Sequence, residues 1–446
     1  MAGPVAGAVP RYRIQRRKSI FKKLFNPSST SKAIQRASHL PTAANVGRGK
    51  DSSMLEAENG LAIANIVSLI SRGLLIEQEA SPGETSTNDR EITSLLTLIV
   101  QSAVARQVVL HINLQEAQVV LEVMHVAMTH SRLSDAADNT KLRKLMLKLS
   151  ATHDVLPSSL FIAGIQDRHE HPVSAGGFGD VYKGVYNGKS VAMKRIRMFT
   201  GKASVSQKSK FCHEALLWQT LDRHPSIVPF LGVDKHTFPL AYCMISPWME
   251  HGTVLKYLTG SGRSQVILTQ LLLQIAEGIE YLHSVSIIHG DIRGTNILIA
   301  PASTLDSATS SAGFQACLTD FGLATVVIGE GESNAGMTSS SNRAGSLRWF
   351  APELLSPQAF DCENFARTTA TDIYAFACVC VEMHTLAPPF AKIQDPTVII
   401  EVINGRRPDR PVGMSDGIWE ITSKGWASKL RERLTIQDIV RRLRGI

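Results

Sequence analysis

The change of pattern near Leu156 constrains this chain more than any other feature. From there the sequence breaks into short strand-like runs punctuated by glycine, and beyond Gly252 it turns to long helical stretches. Strands must pair with strands, whereas a helix buries one apolar stripe against a neighbour. A segment that does the first and then the second builds two unlike lobes. The expected fold class is therefore α+β over residues 156–446. A small β-rich lobe should run to about residue 249, with a larger helical lobe from about 250 and a ligand-binding cleft between them.

Upstream, residues 54–155 read as helices. Ile63, Ile66, Val67, Ile70 and Leu74 keep helical spacing, and Ser81 to Thr87 breaks it. Asn88 with Glu91 and Asn113 with Glu116 look like capping boxes. They precede Ile92, Leu95, Leu96, Ile99 and then Ala117, Val120, Leu121, Met124. Leu142, Leu145, Met146 and Leu149 give a further amphipathic segment. This region is read as a small bundle or as helices packed on the next domain, and as a candidate surface for a protein partner.

Residues 1–53 are read as a disordered tail rich in Pro, Gly, Ser and basic residues. The chain carries a formal charge of +8, yet residues 1–50 hold eleven Lys and Arg and no acid, leaving 36 basic against 39 acidic residues beyond them. A nucleic-acid-binding body would need that charge on a folded face, so no specific nucleic acid is expected. The tail is read first as a solvated arm of a cytoplasmic protein. Its alternatives are an anionic-membrane contact through Phe21, Leu24 and Phe25, or a nuclear or mitochondrial address. No run of eighteen uncharged apolar residues exists, and the start lacks the pattern of a secretory signal. The six cysteines are scattered, with no zinc spacing, and read as small core residues.

The chemistry lies in an ordered series of motifs. Ser174-Ala-Gly-Gly-Phe-Gly179-Asp-Val-Tyr-Lys-Gly184 is a glycine-rich strand–turn–strand, whose backbone N–H groups can approach phosphate oxygens. Val191-Ala-Met-Lys194 ends a short apolar strand, and Glu214 follows in a helical pattern with Phe211, Ala215 and Trp218. Read singly, these are a turn, an edge lysine and a surface glutamate. In this order they suit a phosphate-binding Lys fixed by a carboxylate. His289-Gly-Asp-Ile-Arg-Gly-Thr-Asn296, then Asp320-Phe-Gly322, then Arg348-Trp-Phe-Ala-Pro-Glu353 complete the series. Asn296 and Asp320 offer the hard oxygen ligands that Mg²⁺ prefers.

Together these motifs resemble the eukaryotic-type protein kinases over about Leu156 to Ile446, and Arg348 to Glu353 is similar to the tyrosine-kinase-like group. His289-Gly-Asp and Ile245-Ser-Pro-Trp-Met249 are similar to kinases of mushroom-forming fungi. The resemblance implies that Ser174, Ala175, Gly176, Gly177, Phe178 and Gly179 cover the phosphates of ATP. It implies that Val181 and Ala192 pack on the adenine and that Pro247, Trp248 and Met249 bond its edge. Lys194 would bind phosphate and pair with Glu214, Asp291 would accept the substrate hydroxyl proton, and Arg293 would lie near the γ-phosphate. Asn296 and Asp320 would hold Mg²⁺. Further implications are a Glu353–Arg433 ion pair, an Asp372 anchor under the catalytic loop, and a stack of Trp218, His289 and Phe321. The expected function is phosphoryl transfer from Mg-ATP to a protein Ser or Thr, with Ser346 contacting the catalytic Asp. The alternative is a pseudokinase scaffold.

Three positions and one insertion depart from the family pattern. Ser174 replaces a loop glycine, and Gly290 replaces the Arg that pairs with a phosphorylated activation segment. Activity should therefore depend less on phosphorylation of the Thr338 to Ser341 cluster. Arg293 stands for a Lys, and a planar guanidinium is not a point ammonium. Pro301 to Gln315 inserts a Ser, Ala and Thr-rich stretch, expected as a surface loop.

Overall fold

The computed structural model describes residues 85–130, 133–176, 179–196, 202–221, 223–238, 241–261, 264–301, 313–327 and 346–446. The tail, the Ile63 to Leu74 pattern, Gly177, Phe178, most of the 301–315 insertion and the Thr338 to Ser341 cluster lie outside these residues. Contacts group the chain into two compact units, Met1–Leu149 and Ser150–Ile446.

In the first unit, helices α1 (Thr85–Gln101), α2 (Ala103–Leu110), α3 (Leu114–His130) and most of α4 (Ala136–His153) surround an apolar centre. Leu95, Leu96, Ile99, Ala117, Val120, Leu121, Met124, Leu142, Leu145, Met146 and Leu149 are all buried there. These are the residues the 3.6-residue period selects, with Ile92 only half-buried. Asn113 and Glu116 form the reciprocal capping box that starts α3, each side chain taking the other's N–H, at 3.3 and 3.0 Å. Asn88 does not cap. Helix α1 begins at Thr85, just past the Pro82-Gly83 breaker, so Asn88 falls inside it. Among the described residues, no single helix is long and apolar enough to cross a membrane.

The second unit opens with a six-stranded sheet ordered β1-β5-β6-β4-β3-β2. The strands are β1 (Phe161–Ile162), β2 (Ser174–Gly176), β3 (Gly179–Tyr186), β4 (Lys189–Arg195), β5 (Gly232–Asp234) and β6 (Cys243–Pro247). Helix α5 (Lys202–Gln219) lies between β4 and β5 in sequence. Strand alternation sends Tyr182, Val191, Met193, Cys243 and Ile245 to one face, where they form a core with Phe238. By the same alternation, Val181, Ala192 and Lys194 share the opposite face: Val181 pairs with Lys194, which pairs with Met244, and Ala192 pairs with Ser246.

The remainder is helical: α6 (Val254–Ser261), α7 (Gln265–Ser284), α8 (Pro352–Leu355), α9 (Thr369–Thr385), α10 (Asp395–Ile403), α11 (Asp416–Gly425) and α12 (Ile436–Leu443). Helix α9 is buried on all sides from Thr371 to His384, which explains its nearly unbroken apolar run from Ile373 to Val381. Two short ribbons lie on this lobe, β7 (Ile287–Ile288) with β10 (Thr325–Val326) and β8 (Ile297–Pro301) with β9 (Phe314–Leu318). All six cysteines are free. Burial pushes the thiols of Cys212, Cys243, Cys317 and Cys380 up to about 12.

Candidate active site

One wall of the cleft is built from the free face of the sheet. Lys194 stands on β4, and its ammonium donates to Glu214 Oε1 on α5 at 2.7 Å and to Asp320 Oδ1 at 2.8 Å. Burial opposes charge on Lys194, but the two carboxylates outweigh it and raise its pKa above the ordinary lysine value. Burial likewise pushes the Asp320 carboxyl up, and here Lys194, helped by His289 and Arg293, wins and holds it below the usual range. The Glu214 carboxyl moves up, because burial and the nearby Asp320 exceed the pull of Lys194. The triad therefore carries a fixed ammonium with at least one ionised carboxylate. Asp320 adopts a left-handed backbone, φ 67°, a conformation kept where the surroundings over-determine it.

The other wall is the loop between β7 and β8. The antiparallel β8–β9 ladder pairs Ile297 with Leu318, so Asn296 just before β8 and Asp320 just after β9 lie at the same end, and the Thr319 N–H donates to the Asn296 carbonyl at 3.0 Å. The Asn296 amide donates to the Asp291 carbonyl at 2.9 Å and to Asp291 Oδ2 at 2.8 Å. With Nδ2 spent in this way, Oδ1 is the Asn296 atom left to act as an oxygen ligand. Arg293 Nε lies 3.5 Å from Asp291 Oδ2, while Asp291 Oδ1 is buried with no hydrogen-bond partner. A buried carboxylate oxygen without a partner costs free energy.

The loop is moored from beneath. Asp372 accepts from the His289 N–H and the Gly290 N–H, both at 2.9 Å, and from His283 at 3.0 Å. The Asp291 N–H donates to His289 Nδ1 at 3.3 Å, so the ring proton sits on Nε2 and donates to the Thr319 carbonyl at 3.0 Å. Trp218, Phe321 and His289 form a continuous stack, with ring centroids 5.7 and 5.3 Å apart, that joins the two walls. Farther off, Arg433 and Glu353 make a buried two-bond pair at 2.7 Å each.

The sequence model of the protein tyrosine and serine/threonine kinase family matches residues 168–443. This chain belongs to that family. The chain is 27% identical over 273 residues to the serine/threonine/tyrosine-protein kinase HT1 of Arabidopsis thaliana, covering 60% of this chain and 63% of the relative. The dual specificity protein kinase zakA of Dictyostelium discoideum is 28% identical over 58% of this chain and 32% of its own length. The probable serine/threonine-protein kinase roco7 of the same organism is 27% identical over 61% of this chain and 10% of its own length. The chain thus spans less than two thirds of each of these relatives.

Kinase membership implies use of ATP and generally of Mg²⁺, and the donor set fits. Asn296 Oδ1 and the Asp320 carboxylate are hard oxygens, and among the described residues no cluster of three or more His, Cys, Asp or Glu forms a closed metal cage. A two-donor site suits an ion that keeps water and phosphate oxygens in its shell.

At the sheet edge, the Trp248 N–H donates to the Ser190 carbonyl at 3.0 Å, so Trp248 cannot offer it to an adenine. The same alternation turns the neighbouring Pro247 carbonyl away from β4, and Met249 N–H has no described partner. The edge therefore reduces to Pro247 and Met249. In the glycine hairpin, Ser174 pairs with Val181 and Gly176 with Gly179. A Cβ at Gly179 would lie 2.4 Å from the Arg195 carbonyl, so glycine there is demanded by the hairpin's own packing on β4. Val181 and Ala192 are half-buried on the cleft face.

The Ser346 hydroxyl does not contact the catalytic loop. Ser346 is buried, and among the described residues it bonds neither Asp291 nor Arg293; its carbonyl accepts from the Trp349 N–H at 3.0 Å. Sequence reasoning missed Glu382. This buried α9 carboxylate accepts from the Gly294 N–H and from Trp349 Nε1, both at 2.9 Å, and ties the catalytic loop to the segment after Ser346. Its signal was an acid ten residues after Asp372 in an apolar helix. Arg348 was read only as the head of a family motif; its bonds to the carbonyls of Pro389, Phe390 and Ile393 were not foreseen.

Proposed function

We propose that this chain transfers the γ-phosphoryl of ATP to a protein hydroxyl, of Ser or Thr. The observation that carries the reading is the assembled set of Lys194 bridging Glu214 and Asp320, facing a buried Asp291 with one open carboxylate oxygen. Phosphoryl transfer asks for positioning and charge stabilisation more than covalent chemistry. Lys194 holds the α/β-phosphates, and Glu214 fixes the ammonium. Asp291 orients the substrate hydroxyl through Oδ1 and accepts its proton, while Asn296 keeps Oδ2 occupied. Arg293 stabilises charge on the transferred group. Asn296 and Asp320 would hold Mg²⁺, which would supply charge neutralisation at the phosphates. The hairpin from Ser174 to Gly179 covers the phosphates, Val181 and Ala192 flank the base, and Pro247 and Met249 bond its edge.

Within the family, the Arg348 to Glu353 motif favours the tyrosine-kinase-like group, and His289-Gly-Asp favours kinships among fungal kinases. We assign residues 156–446 to the kinase domain and 54–155 to a helical region that recruits a protein partner. The basic tail 1–53 is taken as a solvated arm of a cytoplasmic enzyme; salt-sensitive binding to anionic liposomes would replace that with membrane contact. Autophosphorylation with Mg-ATP and site mapping tests the activity. Wild type should label Ser or Thr, and Lys194→Met and Asp291→Asn should not. Wild type that labels no substrate, itself included, would return the chain to the pseudokinase reading.

A further inference from the structure

Gly290 has a left-handed backbone, φ 75°, and a Cβ built on it would lie 2.4 Å from Arg367 Cδ, 2.9 Å from Arg367 Nε and 2.9 Å from the Leu323 carbonyl. The space beside residue 290 is thus filled by a side chain from another segment. Arg367 precedes α9, is buried to 6% exposure, and lies over the Phe365 and Phe350 rings at 5.2 and 6.0 Å. Its Nε donates to the Gly290 carbonyl at 3.1 Å.

The peptide unit between Gly290 and Asp291 is therefore pinned at both ends. Its carbonyl is held by Arg367, and its N–H, that of Asp291, is held by His289 Nδ1. This plane turns about two soft bonds, Cα–C of Gly290 and N–Cα of Asp291, and rotation about the second re-aims the Asp291 side chain. Asp372 holds only the two preceding N–H groups, so it does not fix this plane.

We infer that Arg367 is a positioning residue for Asp291, acting through the 290–291 peptide and taking the volume a side chain at 290 would occupy. Arg367 touches no reacting atom. It sets the direction in which Asp291 Oδ1 faces the cleft. The kinetic part of this inference rests on the kinase reading above; the positional part does not.

The test uses the full chain with Arg367→Met, which keeps the packing of the stem between the rings, and Arg367→Lys, whose ammonium lies one bond beyond the Nε position. Hydrogen exchange followed by mass spectrometry reads the amides of 287–294. Steady-state kinetics with casein and Mg-ATP reads turnover. Arg367→Met should exchange the Asp291 amide at least about tenfold faster, leaving α9 unchanged. It should lower kcat about 10- to 100-fold with the KM for ATP within about twofold, as a misplaced catalytic group does. Arg367→Lys should behave like Arg367→Met, because charge without the Nε bond does not hold the carbonyl. Unchanged exchange at 290–291, rescue by Lys, or equal losses in kcat and ATP affinity would overturn the inference. A wild type without turnover would sink the kinase reading alone, with the exchange arm still deciding the role of Arg367.

Discussion

The two walls of the cleft are fastened by different means. On the sheet side, Lys194 is oriented by side-chain ion pairs to Glu214 and Asp320, and Glu214 arrives on a helix from outside the sheet. On the helical side, the catalytic loop is tied by its backbone to a helix with no exposed face, through Asp372 at His289 and Gly290 and through Glu382 at Gly294. The Lys194 and Asp320 side chains are partly exposed, so water can reach these ion pairs when they open, whereas buried N–H groups deprived of their acceptors cannot be resolvated. The first wall is adjustable and the second is fixed.

Four measurements sharpen this contrast. Asp372→Ala strands two buried N–H groups and His283, and should destabilise the protein by about 3 kcal/mol or more in urea unfolding. A loss under about 1 kcal/mol would break the comparison. Glu382→Gln can keep the one oxygen that takes both donors but loses the charge, and should cost about 1 kcal/mol. That cost should depend on pH. Burial raises the Glu382 carboxyl pKa above its unfolded value, so the native state binds the extra proton. The wild-type group therefore stabilises most at low pH and less as pH rises through the raised value, and the gap to the Gln variant should narrow in that direction. Glu214→Gln leaves Lys194 bonded to Asp320, so stability should change by about 1 kcal/mol or less while turnover falls about 100-fold. The smallest effect is chemical: iodoacetamide at pH 8 should label native Cys362 first, since it is the one cysteine that is not buried.

The two walls were also unequally legible in the sequence. The ordered motifs and the family resemblance they carry sufficed to bring Lys194, Glu214, Asp291, Asn296 and Asp320 into one cleft, because four of them sit at strand ends or in tight loops and Glu214 sits in a helix whose pattern is plain. The backbone moorings were not legible. Glu382 reads as one polar residue in an apolar helix, and Arg367 as an ordinary basic residue before a cap, until the fold brings them under residues 290 and 294. The Asn88 box failed because a capping pattern cannot reveal that the helix had already begun at Thr85. The Trp248 donor failed because only the register shows that Ser190 has claimed it.

That claimed donor carries over to inhibitor chemistry. At the proposed adenine edge, a flat heterocycle would meet one acceptor, the Pro247 carbonyl, and one donor, the Met249 N–H. A scaffold with an adjacent donor–acceptor pair is matched to that edge. One that asks Trp248 for a further hydrogen bond must first unzip the last rung between β4 and β6, forfeiting about 1 kcal/mol of the affinity it was drawn to gain.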